Sequence, residues 1–335
     1  MAAAWLLMAL VLGGLAVFFV AVQLGQAGGL PGALLLTAKK TYWAADRWLL
    51  DRFLLNPYVI AIVAGAVVLE FLMPADRRLR KVSPGLVNDI VWHVATGLFL
   101  LTVMAVIYAT TATLFARHLG FLSFDFAASW PAWAKIAAGV AIADYLRWVS
   151  HYVRHKVPFL WAFHAVHHGQ RELNVFSNFR GHPLEFVFSY AIVFLPLMMF
   201  QVDYDLAFGI VVAMTWFVNF YHANIRTNFG PLRHILVTPQ FHRVHHSPLP
   251  EHRDANFGVL FSIWDRLHGT RFPDAGIYPE TGIEDPDFPV ATRFAPGHQV
   301  ATLVRQLAYP FYRLVGAEGP ILPARHDGGT GARGP

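Results

Sequence analysis

The sequence contains no cysteine and few charged residues. Without cysteine, this chain can form no disulfide, no thiolate metal site and no iron–sulfur cluster. Only 14% of its residues are charged and 56% are hydrophobic, whereas about a quarter of the residues in a typical soluble domain are charged. We therefore expect an integral membrane protein.

Long apolar stretches support this expectation, because a bilayer-spanning helix needs about 20 apolar residues. Pro74, Pro84, Pro131 and Pro183 fall between the stretches, as helix breakers should. The first stretch lacks the basic start of a signal peptide and is interpreted as a retained helix. The candidate spans are Trp5–Leu24, Phe53–Met73, Ile90–Ala116, Trp133–Val149, Leu184–Phe200 and Leu206–Tyr221.

The basic cluster Asp76–Lys81 predicts the orientation of these spans. Such clusters beside a membrane span favour the cytoplasmic side, and this explains the net charge of +5 better than a nucleic-acid partner does. The spans then return residues 151–168 and 242–246 to the cytoplasmic face. Whether the first span crosses fully stays open, because segment 25–52 carries basic residues and could be interfacial.

Histidine is concentrated in two short segments. Five of the seventeen histidines lie in HYVRHKVPFLWAFHAVHH, residues 151–168, and three lie in HRVHH, residues 242–246. Helix positions three or four residues apart share a face, whereas adjacent positions diverge and can serve two centres. With the histidine just after the last span, nine imidazoles are too many for one tetrahedral ion and suit two ions. The candidate ligands are His151, His155, His164, His167, His168, His222, His242, His245 and His246.

The setting favours iron, although imidazole by itself suits zinc, copper, iron and nickel alike. A metal pair beside apolar spans suits attack by O2 on an unactivated lipid C–H bond. No acidic residue interrupts the motifs, as one would in a hydrolytic zinc site such as HExxH. We predict two iron ions, with zinc as a substitute in a structure.

The electrons for such a reaction must come from outside the chain. The sequence shows no flavin or nicotinamide fingerprint. A separate electron-donor protein is therefore expected, together with a lipid substrate, O2 and the surrounding membrane lipids.

Two alternatives stay open at this point. A zinc-dependent membrane hydrolase would work without O2. A non-catalytic metal-binding or transport protein is disfavoured by the position of the histidines at span ends, since transporters place their ligands near the bilayer midplane.

Three segments resemble the fatty acid hydroxylase/sterol desaturase superfamily of integral-membrane histidine-box di-iron oxygenases. The segments are DYLRWVSHYVRHKVPFLWAFHAVHH, NFYHANIRTNFGPLRHILVTPQFHRVHH and ANFGVLFSIWDRLHGT, between about Asp144 and Thr270. The part through GPLRHILVTPQFHRVHH and WDRLHGT is most similar to the alkylglycerol monooxygenases and their bacterial relatives. His268 stands where the superfamily usually has phenylalanine and is left out of the ligand set.

The resemblance implies O2-dependent hydroxylation or desaturation of a lipid, with the nine histidines as metal ligands. If the kinship extends to cofactor use, a reduced pterin replaces the protein electron donor. The implied fold is all-α: a polytopic helical membrane protein with a cytosolic, histidine-rich di-metal cap. We expect it in a bacterial inner membrane, with the metal site on the cytoplasmic side.

Three parts of the chain are predicted. Residues 1–132 form amino-terminal transmembrane helices, 133–270 the catalytic domain, and 271–335 a cytosolic tail whose end is disordered.

Four further residues are candidates for supporting the ligands, each with a structural alternative. Asp144 orients a ligand imidazole, or else it pairs with Arg147 or Arg154. His182, before Pro183, is expected to have a structural or ligand-supporting role, with direct ligation as the alternative. Turn and capping roles are the alternatives for the last two candidates, Asn256 and Asp265.

Overall fold

The computed structural model describes residues 57–79, 82–202 and 204–315, and this part of the chain is mainly α-helical, as predicted. Within these ranges the only β-pairing consists of isolated bridges, Pro74 with Ile225 and Leu236 with Phe261. The α-helices are α1 Pro57–Leu72, α2 Pro84–Leu114, α3 Ala132–Lys156, α4 Pro158–His168, α5 Pro183–Met199, α6 Tyr204–His222, α7 Pro239–His245, α8 Ile263–Leu267 and α9 Pro296–Leu314.

Each predicted span that falls on described residues coincides with a helix. Helices α1, α2, α3, α5 and α6 overlap the five later apolar stretches, whereas the span Trp5–Leu24 and residues 53–56 of the second span lie outside the described residues. None of the helices in the described ranges combines the length and hydropathy required to cross a bilayer.

The central core forms where α5 packs between α2 and α3. Phe194 and Leu197 on α5 are completely buried there. Gly139 on α3 allows the close approach of the two helices, because a Cβ at this position would lie 2.9 Å from a Leu197 methyl carbon. This packing fixes the direction of α3, which carries the first two candidate ligands.

Helix α9 lies within the segment 271–335, which the sequence analysis treated as a tail. It packs against α4 and α2. Gln306 on α9 accepts a hydrogen bond of 2.6 Å from the buried indole of Trp92. Phe288 and Tyr309 complete this cluster beside Val166 of α4. The segment thus supports the helix that carries three candidate ligands, while the chain end beyond residue 315 lies outside the described residues.

A buried carboxylate joins α2 to the loop that follows α4. Asp89 is fully buried and accepts hydrogen bonds from the side chains of Gln170, Asn174, Ser177 and Arg180. Its ion pair with the equally buried Arg180 measures 2.7 Å. Burial of a charge pair is tolerated only when the remaining donors and acceptors are satisfied in this way.

Replacement of Asp89 by alanine should destabilise the protein by about 3–5 kcal/mol, because the buried Arg180 guanidinium would lose its counter-charge. The midpoint of thermal or denaturant unfolding measures this effect. The matched control is Glu251→Gln at an exposed position, where a change within about 0.5 kcal/mol is expected. Equal stability of Asp89→Ala and wild type would contradict the role assigned to this carboxylate.

Candidate metal centre

The fold brings the nine predicted histidines together in two groups, which we call the five-histidine cluster and the four-histidine cluster. The ligand atoms within each cluster lie within 4.8 Å of one another. Adjacent histidines separate, so that His167 and His168 belong to different clusters, as do His245 and His246. The five-histidine cluster comprises His151, His155, His164, His168 and His245; the four-histidine cluster comprises His167, His222, His242 and His246.

A proline-induced bend places the ligands of α3 opposite those of α4. Helix α3 continues to Lys156, so His151 and His155 lie on one face about one turn apart. Pro158 disfavours a helical conformation at Val157, which is extended with φ −103° and ψ 112°. The same proline then begins α4, since the first turn of a helix needs no amide proton there.

The other candidate ligands come from α6 and α7. His222 is the last residue of α6. The side chain of Thr238 caps α7 by accepting the amide proton of Phe241 at 3.1 Å, with Pro239 in the first turn. This short helix presents His242 and His245 one turn apart, and His246 follows at its end.

The Nε2 atoms of the four-histidine cluster converge on one point. His222 Nε2 lies 3.2 Å from His167 Nε2 and 2.9 Å from His242 Nε2. His246 Nε2 lies 2.9 Å from His242 Nε2. In the five-histidine cluster, the Nε2 atoms of His151 and His164 are 3.0 Å apart. Nitrogens that share a tetrahedral ion at about 2.1 Å lie about 3.4 Å from one another, so this spacing is typical of a metal cage.

Outward hydrogen bonds fix the tautomers of several rings. A carbonyl oxygen has no proton, so an Nδ1 that bonds to it must donate, which leaves the lone pair of Nε2 for a metal. The Nδ1 acceptors are the carbonyl oxygens of Phe257 for His151 (2.9 Å), Arg180 for His167 (2.9 Å), Val218 for His222 (2.7 Å) and Ala255 for His245 (2.8 Å).

Glu185 is a supporting residue that the sequence analysis missed. Its carboxylate accepts a 2.9 Å hydrogen bond from His164 Nδ1 and lies 3.5 Å from the Arg154 guanidinium. A carboxylate behind a ligand imidazole orients the ring and raises its basicity. A single acidic residue at the start of the apolar helix α5, three positions after His182, was the available signal.

Asn256 and Asp265 hold the backbone that bonds to the ligands. Asp265 accepts the amide protons of Phe257 at 2.8 Å and of Gly258 at 2.7 Å. The side chain of Asn256 donates to the Phe241 carbonyl at 3.0 Å. Neither side chain bonds to a ligand ring among the described residues. They fix the loop whose carbonyls orient His151 and His245.

Asp144 and His182 have roles away from the two clusters. Asp144 accepts protons from the amides of Leu260 and Phe261 and from the Trp264 indole, at 2.8–2.9 Å. It therefore ties α3 to the loop before α8, without the bond to an imidazole, Arg147 or Arg154 that the sequence suggested. His182 caps α5 through a 3.3 Å bond from the Leu184 amide to its Nδ1, and it belongs to neither cluster.

Burial keeps the candidate ligands neutral. It lowers the pKa of His245 to about 4, against the opposing bond to Ala255. Burial, followed by the proximity of other imidazoles, lowers the pKa of His168 and His246 well below the usual value. The Nε2 atoms of His155, His168 and His245 are buried and have no hydrogen-bond partner among the described residues. Neutral imidazoles with unpartnered inner nitrogens fit two divalent transition-metal ions.

Two cavities reach the clusters from different directions. The first, which we call the inner cavity, has a volume of about 100 Å³ and is lined by ligands of both clusters, together with apolar residues of α5 and α6. The second, which we call the polar opening, has a volume of about 350 Å³ and is lined by His155, His168 and His245 beside charged residues. Trp161 lines the polar opening, with its ring 5.0 Å from that of His155.

We expect the purified protein to bind two metal ions per chain, one for each cluster. His168→Ala and His222→Ala should each reduce the content to about one ion, since each removes a ligand from a different cluster, and the double variant should bind none. Elemental analysis of anaerobically purified protein measures the content. His234→Ala, at an exposed position outside both clusters, is the matched control. Retention of two ions by either single variant would contradict the assignment.

The metal-free protein should lose stability as the pH falls from about 6.5 towards 4. Unfolded histidine titrates near 6.5 whereas folded His245 titrates near 4, so the unfolded state takes up protons first. His245 alone should cost about 2 kcal/mol at pH 5. Unfolding midpoints measured at pH 7.5 and pH 5 with a chelator present give this loss of stability. His245→Gln should lose less stability between the two pH values than wild type. A pH-independent midpoint would argue against buried neutral imidazoles.

Comparison with known proteins supports one family. The fatty acid hydroxylase family model matches residues 136–270. The chain is 28% identical over 283 residues to the ornithine lipid hydroxylase OlsE of Rhizobium tropici, covering 83% of this chain and 81% of that protein. No solved structure gives a significant match.

Alkylglycerol monooxygenases match over shorter regions. The Xenopus tropicalis protein is 33% identical over 125 residues, which cover 37% of this chain and 27% of that protein. The human protein is 25% identical over 225 residues, which cover 64% of this chain and 46% of that protein. The matched region thus spans less than half the length of these two relatives. Together with the histidine spacing, these similarities show that residues 136–270 form a fatty acid hydroxylase domain.

Proposed function

We propose that the protein is a membrane-bound di-iron monooxygenase that hydroxylates, or desaturates, a lipid with O2 and externally supplied electrons. The observation that carries this proposal is the pair of imidazole clusters that share one inner cavity. A substrate carbon in that cavity would lie beside both ions. The names of the relatives, a lipid hydroxylase and the alkylglycerol monooxygenases, support the same reaction class.

The donor set is compatible with iron bound to all nine histidines, and the apolar setting is our reason for assigning iron. Neither cluster contains a carboxylate or thiolate within the described ranges. Bound iron would supply activation of O2, while the protein orients the ligands and keeps water away. Zinc also fits imidazole and could substitute for iron in a structure. Glu185 and the carbonyls of Phe257, Arg180 and Ala255 hold the rings in position.

An apolar groove beside the inner cavity supports a lipid substrate. The groove has a volume of about 680 Å³, and nine of its twelve lining residues, from α3, α4 and α5, are hydrophobic. Two of them, Phe159 and Phe188, expose 55% and 67% of their surface. Arg154 and Glu185 line both the groove and the inner cavity. A hydrocarbon chain could therefore pass between these residues toward the metal centre.

The polar opening supports a separate route for water-soluble reactants. Arg253, Glu284 and Asp285 surround it, and it reaches the five-histidine cluster. We propose that a separate electron-donor protein, or a reduced pterin, delivers electrons from this side. This is also the side that we assign to the cytoplasm.

Exposed apolar side chains support a membrane location. Phe71 and Leu72 at the end of α1 expose 62% and 66% of their surface, and Trp133 at the start of α3 exposes 72%. Apolar surface of this kind marks contact with lipid or a partner. We propose that the chain is integral to a bacterial inner membrane.

Lipid analysis of expressing cells tests the reaction. Under labelled O2, wild type should produce a lipid that gains one labelled oxygen atom, or one that loses two hydrogens if the reaction is desaturation. His167→Ala should lower this product by about 100-fold or more because a metal ligand is lost. The exposed His234→Ala is the control and should match wild type. A lipid product that forms equally without O2 would instead indicate a hydrolase.

A further inference from the structure

Arg147 lies on α3 one turn before His151 and faces the inner cavity. Positions four residues apart share a helix face and differ by about 6 Å along the axis. Arg147 and His151 therefore line the same wall of the cavity. A group bound by this guanidinium would lie close to the metal centre.

The Arg147 guanidinium has no hydrogen-bond or ion-pair partner within the described part of the chain, whereas the other two arginines of the cavity are paired. Arg154 lies 3.5 Å from Glu185 and donates to two serine hydroxyls. Arg180 is paired with the buried Asp89 at 2.7 Å. Asp144, the acidic residue on the same helix, is not within ion-pairing distance and accepts from two amides and an indole instead.

Among the arginines that line the cavity, Arg147 is consequently the one that makes no ion pair with a described residue; Asp144 interacts with it electrostatically but is occupied by two amides and an indole. The charged lining residues of the cavity are three arginines and Glu185; Glu185 neutralises Arg154, and Asp89 neutralises Arg180. The wall near α5 and α6 is largely apolar, and the Tyr190 hydroxyl is already 3.4 Å from that of Thr215. A half-buried charge in such surroundings is costly unless a ligand supplies the opposite charge.

We propose that Arg147 binds an anionic group of the substrate, a carboxylate or a phosphate, through paired charge-assisted hydrogen bonds. This inference rests on the proposed lipid oxidation. A cavity of about 100 Å³ holds only a short segment of a lipid. The anionic group and the oxidised carbon must both lie in that segment, so oxidation takes place within a few bonds of the charged group and not at the far end of a chain.

Binding measurements without O2 test this inference. The metal-loaded protein in a non-ionic detergent is titrated with dodecanoate, dodecyl phosphate and the neutral methyl dodecanoate, and the heat of binding is recorded. Wild type should bind at least one anion about tenfold or more tightly than the ester, as paired charge-assisted bonds predict. The stronger of the two anions identifies the group as carboxylate or phosphate.

Variants of Arg147 separate binding from structure. Arg147→Gln should abolish the preference for the anion and leave the affinity for the ester and the metal content unchanged, while Arg147→Lys should keep part of the preference. Arg117→Gln, at an exposed position that does not line the inner cavity, is the matched control and should behave as wild type. If Arg147→Gln does not fold, Arg147→Lys together with the wild-type titrations decides the matter.

Three results would overturn the inference: equal affinity of wild type for anion and ester, an equal loss of both affinities in Arg147→Gln, or loss of a metal ion in that variant. Because no turnover is measured, these results are independent of whether the protein oxidises a lipid. Labelled-oxygen incorporation with no anion preference would leave the proposed function intact and reject the role of Arg147.

Discussion

The hydrogen bonds at the outer nitrogens of the histidines determine where their inner nitrogens point. Four rings donate from Nδ1 to main-chain carbonyls, and His164 donates to Glu185. An unrestrained imidazole could rotate or change tautomer. The inner nitrogens of a cluster would then carry protons instead of lone pairs, and they could not bind a metal ion. Other buried polar side chains hold these acceptors in place. Asp265 and Asn256 fix the loop behind the five-histidine cluster, and Asp89 fixes Arg180 behind the four-histidine cluster.

The surroundings of the metal centre differ on its two sides. The inner cavity and the adjoining groove are apolar except for a few charged groups, whereas the polar opening combines acidic and basic side chains. Such a division lets a hydrocarbon and a water-soluble reactant approach without competing for space. It also explains the strong burial of charged residues in this part of the chain, because each charge at the boundary must either be paired or face a ligand.

The sequence predicted the helices and the nine histidines because both depend on short-range patterns. Apolar stretches marked the positions of α1, α2, α3, α5 and α6, and the spacing in HAVHH and HRVHH implied two diverging groups. The supporting groups were not predictable in this way. Glu185 lies 21 residues from His164, and the carbonyl of Phe257 lies 106 residues from His151. Every residue type has a main-chain carbonyl, so the sequence does not indicate which carbonyl accepts a hydrogen bond. Helix α9 was not predicted because it lies in a segment rich in proline and glycine.

The packing of α9 and α2 has a consequence for where the folding unit ends. The family match covers residues 136–270. Helix α4, however, packs against α9. The Arg180 carbonyl that orients His167 is held in place by the ion pair of Arg180 with Asp89 of α2. Both supports lie outside the matched segment. A fragment cut at those limits would expose the apolar side of α4 to solvent and leave the Arg180 guanidinium without its ion-pair partner Asp89. The segment that the family model matches is therefore shorter than the part of the chain whose packing supports the metal centre.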